Sequence, residues 1–225
     1  TVGVSVRGAW ELIKAIFQWR RERTGWITTP GVESNGFAST CGNPDHPDIQ
    51  LAFVPVIIDD HTRKTHLGHG YTLHTTLMRP KSRGSVTLQS ADPYQAPAID
   101  PGFFTHPDDM AVAIKGARMG FEILEAKAMA PYRGKRLHPF DVNDDKAMEA
   151  FLRATCDTEY HPVGTCKMGP DTDPRAVVDA QLRVRGVQAL RVVDASVMPA
   201  LTTGNTNAPS MVIGEKAADL IRSGA

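Results

Sequence analysis

The strongest structural restriction in this sequence is a stripe of apolar residues at helical spacing near its middle. The stripe comprises Met110, Ile114, Ala117, Phe121, Leu124 and Ala128. This spacing predicts an amphipathic helix that begins near Asp108, with Thr105 as its cap. One long helix with a single apolar face must pack against other elements, and the neighbouring segments indicate which kinds these are.

Strand patterns precede this stripe. Residues 50–58 form an apolar run interrupted by Pro55, which favours a strand with a bulge or an edge position. Residues 71–78 alternate in part, and residues 85–88 continue the pattern after a turn that ends at Gly84. These two segments are predicted to pair as antiparallel strands.

Further segments carry helical signals. Residues 10–23 have apolar pairs at helical spacing and end at Gly25; residues 144–154 follow a cap at Asn143 or Asp144; residues 210–222 follow Pro209. Residues 191–194 are predicted to form a short buried strand. Mixed strands and helices predict an α+β fold, with an antiparallel sheet and flanking helices.

Composition limits the classes of partner. The 225 residues include 25 basic and 25 acidic side chains, so the net charge is zero and a nucleic-acid partner is not expected. The three cysteines have no metal-type spacing, which favours a reducing, cytoplasmic compartment. No apolar run reaches the roughly 18 residues of a membrane span, although peripheral attachment is left open. The opening residues lack an initiator methionine or a leader, so we expect a piece of a longer protein.

The loop at residues 202–209 is the sharper of two candidate sites. Its Gly-Asn-Thr-Asn sequence leads into a helix that starts with Pro209, which presents backbone amides at the positive end of a helix dipole. Such an end favours a phosphate or the negative charge of a reduced flavin. The alternative is that Asn205 and Asn207 only cap a surface helix.

His161 is the second candidate. It precedes Pro162 in an irregular segment, where an imidazole can act as a base near neutral pH. A neutral imidazole beside the Asn207 amide could bind an alcohol hydroxyl and remove its proton; the alternative is a structural histidine. Asp194 follows a short apolar segment, as do nucleotide-binding acids at the carboxyl end of a sheet, or it is a plain helix cap.

Other chemistries fit the sequence less well. The histidines at 61, 66, 69 and 74 lack the helical spacing of a zinc pair, so no metal site is predicted. Gly68-His69-Gly70 is followed by strand-like residues, which argues against a dinucleotide-binding loop. Cys166 with His161 lacks an evident third orienting group, so a cysteine hydrolase is the weaker hypothesis.

Four motifs, taken in order, resemble the glucose-methanol-choline (GMC) oxidoreductases. They are residues 79–86 (RPKSRGSV), 160–169 (YHPVGTCKMG), 190–199 (LRVVDASVMP) and 205–209 (NTNAP). The resemblance covers essentially the whole chain and is closest to choline and alcohol dehydrogenases. It implies a C-terminal portion, with a substrate-binding domain at residues 1–156 and a segment at residues 157–225 that completes an FAD-binding domain.

The resemblance also implies an activity and site residues. His161 would face the flavin, and Asn207 would occupy the second catalytic position, for oxidation of a small-molecule alcohol to an aldehyde by proton removal and hydride transfer to FAD. Further residues are implied as FAD contacts: Pro162, Asp194, Ala195, Asn205 and Thr206.

The resemblance leaves the partners of the chain open. The N-terminal half of the family, with its glycine-rich FAD loop, is absent, so a separate N-terminal polypeptide is one expected partner and a homodimer is another arrangement. A flavin-free binding module is the alternative function. The sequence does not identify the alcohol, and dehydrogenase is favoured over oxidase by the motifs alone.

Overall fold

The computed structural model describes Thr1 and residues 3–224. The α-helices in this part of the chain are α1 (Val6–Glu22), α2 (Pro107–Glu125), α3 (Asp145–Thr155) and α4 (Asn207–Arg222). The strands are β1 (Gly3–Val4), β2 (Ser34–Ala38), β3 (Ile49–Val54), β4 (Gly68–His69), β5 (Thr72–Leu77), β6 (Ser85–Thr87) and β7 (Ala98–Asp100). All the strand pairs are antiparallel, so the predicted α+β class is confirmed.

The chain divides into two compact units. The first consists of Thr1–Leu77 with His106–Asp157, and the second of Met78–Thr105 with Thr158–Ala225. The sequence predicts a domain change near residue 156, which lies next to the third point at which the chain passes from one unit to the other, after Asp157. Residues 78–105, expected in the first domain, belong to the second unit by their contacts, and there β6 pairs with β7.

The first unit is built around a three-stranded sheet in the order β2-β3-β5. The register pairs Ile49 with Leu77 and Val54 with Thr72, so β3 has a partner on each side. Ile49 is fully buried against α2, where Gly116 leaves space for its side chain. The predicted strand at 50–58 therefore exists but stops before Pro55, which has no amide hydrogen to donate.

Helix α2 forms where the apolar stripe predicts it, but its cap differs. His106 caps the helix, with Nδ1 accepting from the Asp108 amide at 3.2 Å. Pro107 occupies the first turn, where its missing N–H costs nothing. Thr105 is not the cap because its hydroxyl donates to the Gly102 carbonyl at 2.9 Å.

Helix α1 begins earlier than the pattern suggests. Ser5 caps it by accepting from the Gly8 amide, which adds a turn before Trp10. Arg23 ends it in the left-handed conformation, with φ at 57°, so the helix ends before Gly25, at which the sequence predicts its end.

Helix α3 begins at one of its two predicted caps. The cap is Asp144, because its carboxylate accepts from the Lys146 amide.

The second unit has a hairpin where the sequence predicts a different pairing. β6 pairs with β7, so the expected pair between residues 71–78 and 85–88 is wrong. Gly84 allows this hairpin to close, because a Cβ at that position would lie 2.1 Å from the Asp100 carbonyl oxygen. A close backbone approach of this kind leaves no periodic signal in the sequence.

The core of the second unit holds the C-terminal helix. Its fully or almost fully buried side chains are Val178, Leu182, Val197 and Ala217. The predicted strand at residues 191–194 is wrong: Arg191 makes only an isolated bridge with Arg183, and Val193 is exposed. The segment is held by single backbone bonds, such as that from the Val192 amide to the Leu182 carbonyl at 3.1 Å.

Candidate active site

His161 lies in an irregular segment that is held by backbone geometry on both sides. Tyr160, directly before it, has a left-handed φ of 61°, and Pro162 directly after it fixes its own φ. Farther along, the Cys166 amide donates to the Ser196 carbonyl at 3.0 Å and the Met168 amide to the Val197 carbonyl at 2.8 Å. The segment is therefore anchored beside residues 195–197.

The second part of the site is the loop that leads into α4. Thr203 has a left-handed φ of 62°, which turns the chain just before Gly204. Thr206 is the N-cap residue of α4, and it is buried. The Thr206 carbonyl accepts from the amide and the hydroxyl of Ser210, at 3.0 and 2.6 Å. These bonds fix the residues on either side of the helix start.

The loop places two polar groups on the His161 ring. Thr206 Oγ1 lies 3.1 Å from Nδ1, and Asn205 Nδ2 lies 2.7 Å from Nε2. The Asn205 amide nitrogen can only donate, so Nε2 accepts with its lone pair. In the neutral ring the proton then lies on Nδ1 and is donated to the threonine hydroxyl. The half-buried ring thus presents an unprotonated Nε2 on the side of Asn205.

The asparagine that meets His161 is not the one expected. Asn207 is the first residue of α4 and is exposed, and among the described residues the side-chain hydrogen bonds of His161 go only to Thr206 and Asn205. Helix α4 begins at residue 207 and not at 210. Asn207 is therefore part of the helix, whereas Asn205 lies in the loop beside the ring. Asn205, expected as a flavin contact, is the amide that lies beside the His161 ring.

The remaining predicted FAD residues lie in two places. Pro162 is exposed directly after His161. Asp194 caps a one-turn 3-10 helix, Ala195–Val197, by accepting from the Ser196 amide at 2.8 Å. Its capping role matches the alternative interpretation of this acid. Ala195 opens that turn, so its backbone amide has no partner within it.

Two of the histidines between residues 61 and 74 have separate polar partners. His66 Nε2 lies 2.8 Å from Asp59 Oδ2, whereas His69 Nε2 lies 2.8 Å from the Ser5 hydroxyl. Within Thr1 and residues 3–224, no group of three or more His, Cys, Asp or Glu side chains is arranged to hold a metal ion. In the same residues, no helix is long and apolar enough to cross a membrane.

Sequence reasoning missed the contact between Thr206 and His161. A signal for it exists in the sequence Thr-Asn-Ala-Pro. A threonine cap normally accepts from the second or third helical amide, and here the third position is Pro209, which has none. A threonine in front of such a helix has a hydroxyl available for another partner.

Comparison with known proteins matches this part of the chain to one family. Residues 80–214, more than half of the chain, match the family model described as GMC oxidoreductase. The matched range includes the His161 segment and the loop that carries Asn205 and Thr206.

Curated relatives have names that refer to alcohol oxidation. An alcohol dehydrogenase [acceptor] of Pseudomonas putida is 43% identical over 92% of this chain and 37% of its own length. The mitochondrial choline dehydrogenase of Homo sapiens is 44% identical over 91% of this chain and 35% of its own length. The chain thus spans little more than a third of the relatives it matches.

The fold matches solved members as well. A variant of formate oxidase from Aspergillus oryzae, studied for its FAD modification, has a TM-score of 0.83 and 25% identity, over 95% of this chain and 42% of the oxidase. FAD is the cofactor of that oxidase and of other solved proteins of similar fold. The resemblance predicted from the four motifs is confirmed: the chain belongs to the GMC oxidoreductase family.

Proposed function

We propose that this chain forms part of an enzyme that oxidises a small-molecule alcohol to an aldehyde, with His161 as the base. The observation that carries the proposal is the pair of atoms Nε2 of His161 and Nδ2 of Asn205, 2.7 Å apart. One can accept a proton and the other can donate a hydrogen bond. An alcohol hydroxyl that replaces this hydrogen bond can donate its proton to Nε2 and accept from Nδ2 at the same time.

The residues of this chain fit one wall of an FAD site. Asn207 and Ala208 open α4, and their amides have neither intrahelical acceptors nor a side-chain cap from Thr206. This positive helix end, beside His161, suits a ring that gains negative charge. The Ala195 amide is a second donor. When bound, FAD supplies the acceptor, N5 of its flavin ring, for the hydride from the alcohol carbon.

In the proposed reaction, the polar side chains of the site would have separate roles. The Asn205 amide donates to the alcohol oxygen and fixes its orientation, while Nε2 of His161 takes the hydroxyl proton. The protonated ring remains hydrogen-bonded through Nδ1 to Thr206. Since an amide cannot accept a proton as an imidazole does, the base role falls to His161 alone. Asp194 acts from a distance by holding the turn that presents the Ala195 amide.

We further propose that the rest of the FAD site comes from polypeptide outside these 225 residues. The matched relatives are nearly three times as long as the part that aligns with this chain. A chain that forms only one side of the site makes few contacts to offset the entropic cost of ordering a long cofactor. A homodimer, a separately made N-terminal chain or a longer form of this protein would each supply a second wall.

A hybrid enzyme tests the reaction. In it, this chain replaces the 207 matched residues of the Pseudomonas putida alcohol dehydrogenase [acceptor]. We expect the purified hybrid to bind FAD and to reduce an artificial acceptor when supplied with medium-chain alcohols, choline or aromatic alcohols. A hybrid that binds FAD but oxidises no alcohol in this panel would contradict the proposal, with the parent enzyme as the positive control.

A further inference from the structure

We propose that Thr206 is a positioning residue: its hydroxyl holds His161 in the tautomer that carries the proton on Nδ1, which leaves Nε2 unprotonated and able to act as the base once an alcohol hydroxyl replaces its hydrogen bond from Asn205. The contact is the 3.1 Å approach of Thr206 Oγ1 to Nδ1. The inference rests on the proposed function for its catalytic consequence. The tautomer itself is a property of this chain that can be measured without FAD or substrate.

The position of Thr206 makes its hydrogen bond unusual. A threonine at an N-cap normally turns its hydroxyl toward the second or third helical amide, and that bond contributes about 1 kcal/mol to helix stability. In α4 the cap makes no side-chain hydrogen bond of this kind. The hydroxyl points to the imidazole, so a local stabilising contact is replaced by one to His161. Departures of this type are expected at functional sites.

Pro209 reduces the cost of this arrangement. It occupies the third helical position, where the absence of an N–H removes one of the two donors that a cap would satisfy. The remaining early amides, on Asn207 and Ala208, stay available at the positive end of the helix. The sequence Thr-Asn-Ala-Pro therefore frees both the hydroxyl for His161 and the amides for a partially anionic group.

Thr206 is also rigid enough to set a ring orientation. Its residue is only 7% exposed, and a β-branched side chain has few rotamers. Its carbonyl is fixed by two hydrogen bonds from Ser210. A hydroxyl held in this way offers a lone pair in one direction. The imidazole can therefore donate to it through Nδ1–H, at a smaller cost in side-chain conformational entropy than a flexible partner would require.

Asn205 reinforces the same tautomer from the opposite side. If the ring proton moved to Nε2, it would face the Asn205 amide N–H across 2.7 Å, so two donors would oppose each other. The amide would have to turn its oxygen toward the ring to relieve this conflict. With Thr206 present the Nδ1-protonated tautomer is favoured, because each ring nitrogen has a hydrogen-bond partner of the matching kind.

Nuclear magnetic resonance of the histidine ring tests the inference. In protein labelled with ¹⁵N-histidine, two-bond proton–nitrogen correlations at pH about 8, above the ordinary histidine pKa of about 6.5, identify the protonated nitrogen. The His161 signals, among eight histidines, are those lost in His161→Gln. We expect Nδ1 to be protonated in the wild type and Thr206→Ser, and the share of the Nε2-protonated form to rise in Thr206→Val, where Asn205 alone favours the original tautomer. Thr202→Val, an exposed threonine in the same loop, should leave the signals unchanged.

Two results would overturn the assignment. One is an Nε2-protonated ring in the wild type, and the other is an unaltered tautomer in Thr206→Val. If Thr206→Val keeps the tautomer and only destabilises the fold, the residue serves only the structure of the helix start. The stability measurement also confirms that each variant is folded.

Kinetics in the hybrid enzyme links the tautomer to the reaction. Thr206→Val should lower kcat about tenfold with KM changed less than about twofold, because the Nε2-protonated share of His161 cannot act as the base while the binding site is retained. Thr206→Ser should restore most of kcat. An active hybrid in which Thr206→Val has no effect overturns the inference alone. A hybrid that oxidises no alcohol while the tautomers behave as expected contradicts only the proposed function.

Discussion

The two asparagines on either side of Thr206 differ in what they can reach. Asn205 remains in the loop and contacts the His161 ring, whereas Asn207 is the exposed first residue of α4. The sequence indicates an amide near His161 but not which of two amides two residues apart it is. The helix start decides, and helix starts are the least well defined part of a periodic pattern. The resemblance was informative about the motif and less so about the residue within it.

A buried carboxylate in the first unit gives a pH-dependent prediction. The hydrogen bond from His66 lowers the pKa of Asp59, burial opposes this, and the nearby His138, 3.4 Å from Oδ1, lowers it further. A lowered pKa means that the charged form stabilises the fold. This contribution is present above the ordinary aspartate pKa of about 4 and is lost as the pH falls through the lowered value in the folded state.

Asp59→Asn removes that titration. We expect the free energy of unfolding at pH 6 to fall by about 1 kcal/mol, and its decline toward pH 3 to become shallower than in the wild type. Urea unfolding at a series of pH values measures both. Asp45→Asn, at an exposed position, is the matched control. A parallel decline in Asp59→Asn and wild type would show that Asp59 does not contribute.

Among the elements, those with a long apolar stripe were predictable and those set by distant contacts were not. Helix α2 follows its stripe, and α3 follows its cap at Asp144. The pairing of β6 with β7 depends on how closely Gly84 approaches the Asp100 carbonyl, which no local pattern records. Three-residue strands are too short for a periodicity to distinguish their partner.

The packing of α2 on its sheet gives a prediction for this element. A Cβ on Gly116 would lie 2.6 Å from Cδ1 of Ile49, which is fully buried and has little room to move. Gly116→Ala should lower the free energy of unfolding by about 1–2 kcal/mol, since overpacking exceeds the gain in helix propensity.

The control for this change is Gly214→Ala in α4, where a Cβ meets nothing within 4 Å. There the same substitution should raise the free energy of unfolding by up to about 1 kcal/mol through propensity alone. Chemical denaturation of both variants makes the comparison. Stabilisation by Gly116→Ala of similar size would contradict the close contact between α2 and β3.

For the molecule as a whole, the α+β class and the family could be predicted, whereas the exchange of residues 78–105 between the units has no counterpart in the predicted domains. The chain leaves the first unit at residue 78 and returns at residue 106, so the hairpin of β6 and β7 belongs to the second unit. Sequence order gives no sign of such an excursion. The position of His161, Asn205 and Thr206 in a single unit explains why ordered motifs were enough to find the candidate site.

The proposed reaction would require a complete FAD site, so the role of His161 is best measured in the hybrid enzyme. Anaerobic mixing with an alcohol, followed through the flavin absorbance, gives the rate of flavin reduction in a single turnover. We expect His161→Gln to lower this rate by about 10²–10⁴-fold and Asn205→Leu to lower it less, whereas Asn207→Ala stays within about threefold of the wild type. Flavin reduction at an undiminished rate in His161→Gln would contradict the assignment of His161 as the base.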